Sequence, residues 1–225
     1  MKTALIISGG EFNTYVPNME YDLIIACDKG LEYAHELKIT PDIVLGDFDS
    51  MDSFEAKTII SQMSIGDHDI EVLTFPIEKD DTDTMLAIKH AISLGCVHIV
   101  VVCALGGRTD HLVANIQALH YAAIDNILCE IYSSKEHLIA YRGPCEIEIP
   151  FKEGYSLSLY ALSDQVNGLT ISGTKYEVSD VMLTNSFPLA YGNSILGSYA
   201  QVKFDCGILL IIESQIDIVE SQITE

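Results

Sequence analysis

Two carboxylates lie two residues apart, at Asp47 and Asp49, directly after the mainly apolar run 42–45. A strand that ends in this way delivers acidic groups to the rim of a sheet, where open α/β folds bind their ligands. Like charges this close repel each other unless a cation lies between them. Mg²⁺ is the simplest such cation, because it binds carboxylate and phosphate oxygens together. The alternative is that both residues only cap the next helix and shape a turn.

Acidic residues also follow three further apolar runs in the first half of the chain: Asp28, then Asp80, Asp81 and Asp83, then Asp110. The carboxyl ends of parallel strands share one edge of a sheet, so these groups are expected to converge. Arg108 adds a guanidinium suited to bidentate contact with a phosphoryl group. Helix N-termini at the same edge would attract phosphate oxygens. The combination favours the metal site over the cap and predicts phosphoryl or nucleotidyl transfer. Without a Walker A sequence, the chain is not a P-loop enzyme.

The elements that must position these residues alternate between strand and helix. Continuous apolar runs predict strands at 3–8, 22–27, 42–45, 70–75, 97–105 and 127–132. Apolar residues at helical spacing predict helices in between, at about 31–37, 51–63, 85–95 and 112–123. This alternation is typical of a mostly parallel sheet with helices on both faces. Period-two alternation then directs Phe48 into the core and its acidic neighbours outward.

The pattern changes near Arg142. From Cys145 onward, turn residues separate short alternating strands, predicted at 145–149, 155–161, 168–172, 175–178, 198–204 and 207–213. No helical spacing occurs there, which predicts a small antiparallel sandwich or barrel. We therefore expect an α/β domain at 1–142, with the acidic residues, and an all-β domain at 143–225.

Composition excludes several classes of function. The 225 residues include 12 basic and 33 acidic side chains, a net charge of −21, which argues against binding a nucleic-acid backbone. A nucleotide bound through Mg²⁺ remains compatible with this charge. No apolar run approaches the roughly 18 residues of a membrane span, and the N-terminal run is too short for a signal peptide. Six cysteines without a CxxC pair predict buried free thiols in a cytoplasmic protein.

Three segments carry a specific resemblance: Gly46–Ser50, Lys79–Asp83 and Gly106–His111 are similar, in order and spacing, to the signature blocks of thiamine pyrophosphokinases. The β-rich second half resembles the thiamine-binding domain of that family. The resemblance implies transfer of a pyrophosphoryl group from ATP to the hydroxyethyl group of thiamine, which yields thiamine diphosphate and AMP. It also implies a homodimer, with thiamine bound where the second domain of one subunit meets the first domain of the other.

The resemblance also assigns roles to individual residues. It implies that Mg²⁺ is bound by Asp47, Asp49 and Asp83. The catalytic set that it implies comprises Asp28, Asp47, Asp49, Asp83, Arg108 and Asp110. The set in contact with the nucleotide or its phosphates comprises Asp28, Thr82, Asp83, Arg108, Asp110 and His111. Lys29 stands where the family block has a glycine, which allows backbone conformations that lysine disfavours.

In the second half, the resemblance places Asn193 near thiamine, while Gly192 replaces the serine of the family motif. Because the chain has no Trp, aromatic stacking on thiamine would have to come from Tyr or Phe, with Tyr191 as a candidate.

The implied mechanism is an in-line attack of the thiamine hydroxyl on the β-phosphorus of ATP, with Asp49 or Asp110 as candidates to accept or orient the hydroxyl proton. Two alternatives stay open. One is a pyrophosphokinase for another hydroxymethyl heterocycle, such as a pterin. The other is a sensor that binds a nucleotide or thiamine without turnover, although the full set of acids and Arg108 argues against it.

Overall fold

The computed structural model describes residues 1–46, 53–64, 69–74 and 81–216. The chain divides into two compact units, each described separately. The first comprises Met1–Ala122 with Ile127–Ser134, and the second comprises Ala123–Asn126 with the chain from Lys135 onward. Among the described residues, no helix combines the length and the apolar composition that spanning a membrane requires.

Among the described residues, the first unit contains six parallel strands and four helices. Its strands are β1 (Thr3–Ile7), β2 (Leu23–Cys27), β3 (Ile43–Gly46), β4 (Glu71–Thr74), β5 (His98–Val102) and β6 (Leu128–Tyr132). Its helices are α1 (Gly30–Leu37), α2 (Ser53–Met63), α3 (Asp83–Ser93) and α4 (Thr109–Ile124). The strand order is β6-β5-β1-β2-β3-β4, with every pair parallel. The predicted α/β fold is confirmed.

The strand order reverses at β1, and this reversal decides where a ligand can bind. Strands β2, β3 and β4 extend the sheet on one side of β1, whereas β5 and β6 extend it on the other. Because crossovers between parallel strands are right-handed, α1 and α2 lie on one face and α3 and α4 on the other. Apolar residues of α1 and α2 share one core with β1, as Leu31, Ala56 and Ile7 illustrate. Open α/β sheets bind ligands at the strand ends next to such a reversal.

In the described part of the second unit, the strands form two antiparallel groups, ordered β12-β9-β14-β7 and β11-β10-β13-β8. Their strands are β7 (Glu136–Arg142), β8 (Cys145–Pro150), β9 (Tyr155–Ala161), β10 (Gln165–Ser172), β11 (Val178–Thr184), β12 (Ala190–Asn193), β13 (Tyr199–Phe204) and β14 (Ile208–Gln215). The predicted all-β second half is confirmed. Strand β7 pairs with β14 and belongs to this unit, ahead of the predicted boundary at residue 142.

The sequence pattern did not predict β7, most of β11 or β12. Strand β7 pairs regularly with β14, whereas local irregularity explains β11 and β12. Strand β11 pairs with β10 through two shifts of register, and its Asp180 has a φ of 52°. Strand β12 has only four residues, includes Gly192 at a φ of 66°, and pairs with β9 across another shift. Such bulges break the alternation of apolar and polar residues on which strand prediction depends.

A buried carboxylate joins three elements of the second unit. Oε2 of Glu213 accepts a hydrogen bond from Nζ of Lys152 at 2.8 Å and lies 2.9 Å from Nδ1 of His137. Burial alone would raise the pKa of Glu213, but the bonds from His137 and Lys152 outweigh it, so the pKa is lowered. Ionised Glu213 therefore stabilises the folded unit.

We predict that the stabilising effect of Glu213 depends on pH. A carboxyl whose pKa is lowered on folding contributes stability above its unfolded pKa of about 4.3, and this contribution disappears as pH falls through the folded pKa. Glu213→Gln should therefore lower the free energy of unfolding at pH 7, by an amount that shrinks towards pH 3. Urea unfolding of both proteins across this range measures the difference. A difference that grows on acidification would contradict the prediction.

Candidate active site

A cleft of about 660 Å³ opens where β1, β2 and β5 end. Four segments supply most of its lining: residues 8–12 after β1, residues 27–29 at the end of β2, residues 81–84 at the start of α3, and residues 104 and 106–108 after β5. These are the strand ends beside the reversal of strand order. This cleft thus coincides with the edge at which the sequence predicts that acidic residues converge.

The turn after β1 is held against its neighbours by close backbone contacts. The N–H of Gly10 donates to the carbonyl of Cys103 at 2.8 Å, and a Cβ on Gly10 would lie only 2.7 Å from that oxygen. The buried hydroxyl of Ser8 lies 2.7 Å from that of Thr84, which fixes the start of α3 against the end of β1. Sequence reasoning missed Ser8 and Thr84. Two features of the sequence could have indicated them: Ser8 directly precedes a pair of glycines, and Thr84 directly follows Asp83.

The turn after β2 concentrates its backbone strain at Asp28. This residue has a φ of 48°, in the left-handed region, which aspartate tolerates better than most residues. Lys29 has a φ of −57° and a ψ of −19°, in the right-handed helical region. This position therefore does not need the backbone freedom of glycine, and lysine fits without strain. Gly30 is required for space, because a Cβ there would overlap the carbonyl oxygen of Ile7.

The start of α3 presents two predicted site residues to the cleft. Thr82 is the N-cap, and its Oγ1 accepts a hydrogen bond from the N–H of Met85 at 3.2 Å. Asp83 follows as the first helical residue, where the helix dipole favours a carboxylate. The neighbouring Asp81 is bound by Lys89, whose Nζ lies 2.8 Å from both carboxylate oxygens. Lys89 therefore neutralises Asp81 and leaves Asp83 as the acid at the helix start.

Arg108 and Asp110 form a two-pronged ion pair at the start of α4. Nε of Arg108 donates to Oδ1 of Asp110 at 3.1 Å, and Nη2 donates to Oδ2 at 2.6 Å. The N–H of His111 also donates to Oδ1, at 3.0 Å. The hydrogen bond from Arg108 is the main reason that the pKa of Asp110 is lowered. Asp110 thus orients the guanidinium, and its low basicity makes it a poor proton acceptor.

Asn115 is a further cleft residue that sequence reasoning missed. It is buried, and its Nδ2 donates to the carbonyl of Ala104 at 2.7 Å, which ties α4 to the end of β5. An amide on the otherwise apolar face of α4 could have indicated this role in the sequence, because a buried polar side chain needs a hydrogen-bond partner.

The structure brings most of the predicted residues of the first half together. The cleft is lined by Asp28, Thr82, Asp83, Arg108 and His111, and Asp110 joins them through Arg108. The positions of Asp47 and Asp49, with Phe48 and Asp80, lie outside the described residues. Within the described ranges, no three His, Cys, Asp or Glu side chains are grouped closely enough to hold a metal ion. The predicted Mg²⁺ set, which needs Asp47 and Asp49, therefore stays a prediction.

Asn193 lies in the second unit, where its buried side chain is engaged by the turn at 174–176. Oδ1 accepts from the N–H of Tyr176 at 3.0 Å, and Nδ2 donates to the carbonyl of Tyr176 at 2.7 Å and to Oγ1 of Thr174 at 3.1 Å. The amide thus positions the turn that carries the exposed ring of Tyr176. Its predicted contact with thiamine stays a prediction.

Comparison with known proteins identifies the family. Residues 18–131 match the family model described as thiamin pyrophosphokinase, catalytic domain. Thiamine pyrophosphokinase of Bacillus subtilis strain 168 is 30% identical over 220 residues, which cover 95% of this chain and 99% of that protein. A crystal structure of thiamine pyrophosphokinase from Bacillus subtilis superposes with a TM-score of 0.83 at 28% identity, covering 96% of this chain and all of the other.

A second solved structure, thiamin pyrophosphokinase from Geobacillus thermodenitrificans, gives a TM-score of 0.79 at 25% identity, with 96% of this chain and 99% of the other covered. Both similarities run through the cleft-bearing first unit and the all-β second unit. The resemblance to this family is therefore confirmed along almost the whole length of the chain, and the chain belongs to the thiamine pyrophosphokinase family.

Proposed function

We propose that this chain transfers the pyrophosphoryl group of ATP to the hydroxyethyl oxygen of thiamine, which yields thiamine diphosphate and AMP. The observation that carries this proposal is the cleft beside β1, which gathers Asp28, Asp83 and Arg108 in a member of this family. The comparisons reported above give no support to the pterin and sensor alternatives.

The chemistry proposed for the cleft follows from its charges. The thiamine oxygen attacks the β-phosphorus, the bond from that phosphorus to the oxygen of the α-phosphate breaks, and AMP leaves with its electron pair. Arg108, whose fork is already aligned by Asp110, stabilises charge on the α-phosphate of the leaving group. The first turns of α3 and α4 add backbone N–H groups that attract phosphate oxygens.

The thiamine hydroxyl proton needs an acceptor or at least an orienting group. Both oxygens of Asp110 accept hydrogen bonds from Arg108, and its pKa is lowered, which argues against Asp110 as the proton acceptor. Phosphoryl transfers with loose transition states depend more on positioning and charge stabilisation than on deprotonation. We therefore assign Asp110 mainly to orienting Arg108.

The proposed cofactor is Mg²⁺, bound by Asp47, Asp49 and Asp83. The chemistry of this donor set fits the ion, because hard divalent cations prefer carboxylate oxygens, and Asp83 lies on the cleft wall. When bound, Mg²⁺ would offset charge on the β- and γ-phosphates. Asp28 lies on the same wall, where its carboxylate adds to the negative charge that favours a cation.

We further propose that the chain is a homodimer and that thiamine binds where the second unit of one copy meets the first unit of the other. Support comes from an exposed apolar patch around the turn that Asn193 positions. Its members are Tyr176, Tyr191, Leu196 and Tyr199, with exposed fractions of 61%, 70%, 71% and 47%. The N–H of Leu196 donates to the carbonyl of Gly173, and a Cβ on Gly173 would lie 2.6 Å from the carbonyl oxygen of Tyr199, so Leu196 and Tyr199 lie beside this turn. Exposed apolar patches of this kind mark interaction sites.

Six free cysteines are compatible with the proposed cytoplasmic location.

The dimer proposal predicts that charge in this patch weakens association. We expect light scattering at micromolar concentration to give about twice the chain mass of 24.7 kDa. Leu196→Glu should shift the protein towards monomer, because burying an unpaired carboxylate in an interface is unfavourable. Val113→Glu, at an exposed position of α4 outside the patch, is the matched control. A wild-type monomer, or the same mass for both variants, would contradict the prediction.

The function itself is tested by measuring AMP release from Mg-ATP with thiamine, with a hydroxymethyl pterin, and with no acceptor. We expect AMP in stoichiometric proportion to thiamine diphosphate in the first reaction only. AMP release driven by the pterin would instead favour the first alternative. Tight binding of thiamine and ATP with no AMP in any reaction would favour the sensor.

A further inference from the structure

We propose that Lys29 binds the terminal phosphates of ATP, the pyrophosphoryl part that is transferred. The family block that the segment resembles has a glycine at this position, so none of the roles assigned above includes this side chain. The inference rests on the proposed function, because ATP is the nucleotide that the cleft is proposed to bind.

The backbone places Lys29 directly beside the turn after β1. A Cβ built on Gly9 would lie 3.3 Å from Cβ of Lys29, so the two segments are in contact. Lys29 is the N-cap of α1, in an ordinary right-handed helical conformation, and its side chain lines the cleft. The lysine therefore occupies the cleft wall without backbone strain.

An aromatic ring holds the ammonium group at this wall. Nζ of Lys29 lies 5.5 Å from the centre of the Tyr33 ring, within the range of a cation–π contact. The ring is itself fixed, since the hydroxyl of Tyr33 donates to the carbonyl of Gly10 at 2.9 Å and Phe12 packs against it at 5.0 Å between centroids. The exposed ammonium retains free N–H donors for an anion, because the contact with the ring face uses its charge and leaves most of its hydrogens to solvent.

The charge of the cleft shows why a second cation matters. Among the described residues that line it, Glu11, Asp28, Asp81 and Asp83 are acidic, whereas Lys29 and Arg108 are the basic side chains other than histidine. Lys89 neutralises Asp81 from outside this lining. A polyphosphate, itself strongly negative, needs cationic contacts to enter such a site, and lysine is suited to phosphate as a point charge.

The position across the sheet indicates which phosphates Lys29 meets. It follows β2, whereas Arg108 follows β5, and β1 lies between these strands. Two strand spacings separate the two strand ends by about 10 Å. Arg108 is proposed to contact the α-phosphate of the leaving AMP. Helix α3 begins with Asp83, a proposed ligand of the Mg²⁺ at the β- and γ-phosphates, and packs on β1, β2 and β3. Because Lys29 follows β2, it is on the side of the β- and γ-phosphates. Lys29 should then discriminate ATP from AMP.

The test compares nucleotide binding and turnover in Lys29→Ala and Lys29→Arg, with Lys57→Ala as the matched control. Lys57 is exposed on α2 and does not line the cleft. Calorimetry with Mg²⁺ and without thiamine measures affinity for ATP and for AMP, and steady-state kinetics measures KM for Mg-ATP and for thiamine. For Lys29→Ala we expect an affinity for ATP about tenfold weaker, as for loss of one charge-assisted hydrogen bond. Affinity for AMP and KM for thiamine should change less than about twofold, and Lys29→Arg should recover most of the ATP affinity.

Two results would overturn the proposal. One is an unchanged affinity for ATP in Lys29→Ala, and the other is an equal loss of affinity for ATP and AMP. Unaltered thermal melting of the variants excludes a merely structural effect, and recovery by arginine requires a cation. If the wild-type protein releases no AMP with thiamine, the proposed function fails, whereas the ATP and AMP affinities still decide the role of Lys29.

Discussion

Asp83→Asn is expected to lower the turnover of Mg-ATP and thiamine at least about 100-fold while the protein stays folded. Asp83 is the first residue of α3 and lies on the cleft wall, where its carboxylate is proposed to bind Mg²⁺. Loss of a charged ligand to a catalytic metal costs several kcal/mol of transition-state stabilisation, and each 1.36 kcal/mol is a factor of about ten in rate. Asn has the same shape, so the effect is one of charge.

The fold should tolerate this change because Asp83 is not the helix cap. Thr82 provides the cap through its hydroxyl, and the interaction of Asp83 with the helix dipole is worth only about 0.3–1 kcal/mol. Asp47→Asn is expected to have an equally large effect on turnover. The control is Asp125→Asn, which removes the same charge from an exposed residue after α4. The measurements are AMP release over a range of Mg²⁺ concentrations, thermal melting and mass in solution. Near-normal rates in both Asp83→Asn and Asp47→Asn would remove the metal assignment.

Strong local patterns made most of the fold predictable. Continuous apolar runs such as that ending at Cys27 are buried on both faces of the parallel sheet, and such runs distinguish central strands from other elements. Strand β12 and most of β11 were not predictable in this way, because positive φ values at Asp180 and Gly192 and shifts of register depend on the neighbouring strands. The spacing of apolar residues is a property of a single segment, whereas a bulge depends on the pairing of two strands.

The cleft was predictable where one residue type repeated at strand ends. Asp28 and Asp83 were found because acids after several apolar runs must converge at one edge of a parallel sheet. Ser8, Thr84 and Asn115 were not found, because their roles depend on pairing across the fold: a hydroxyl with a hydroxyl, and an amide with a carbonyl 11 residues away. Lys29 is intermediate, because its departure from the family block was visible in the sequence but its place over the ring of Tyr33 was not.

Arg108→Ala is the second change with a large expected effect, a loss of about 10²–10³-fold in kcat. The guanidinium is proposed to stabilise charge that develops on the α-phosphate, and removal of one such preorganised donor typically has this cost. The kcat of Arg108→Lys should lie between those of the wild-type protein and Arg108→Ala, because lysine retains the positive charge but lacks the planar guanidinium group. The pair with Asp110 is exposed, so its loss should leave stability nearly unchanged. Arg142→Lys, in the second unit, is the control for replacement of an arginine.

A double-mutant cycle with Asp110 separates orientation from catalysis. Because Asp110 binds Arg108 with both oxygens, we expect Asp110→Asn to lower kcat less than Arg108→Ala does. If Asp110 acts only by orienting the guanidinium, the double variant should be as slow as Arg108→Ala alone. Independent, multiplicative losses would instead mean that Asp110 contacts the substrates itself. Because the pKa of Asp110 is lowered, its titration should leave the kcat profile flat from neutral pH down to about pH 5. A loss of rate in that range that disappears in Asp110→Asn would restore Asp110 as the proton acceptor.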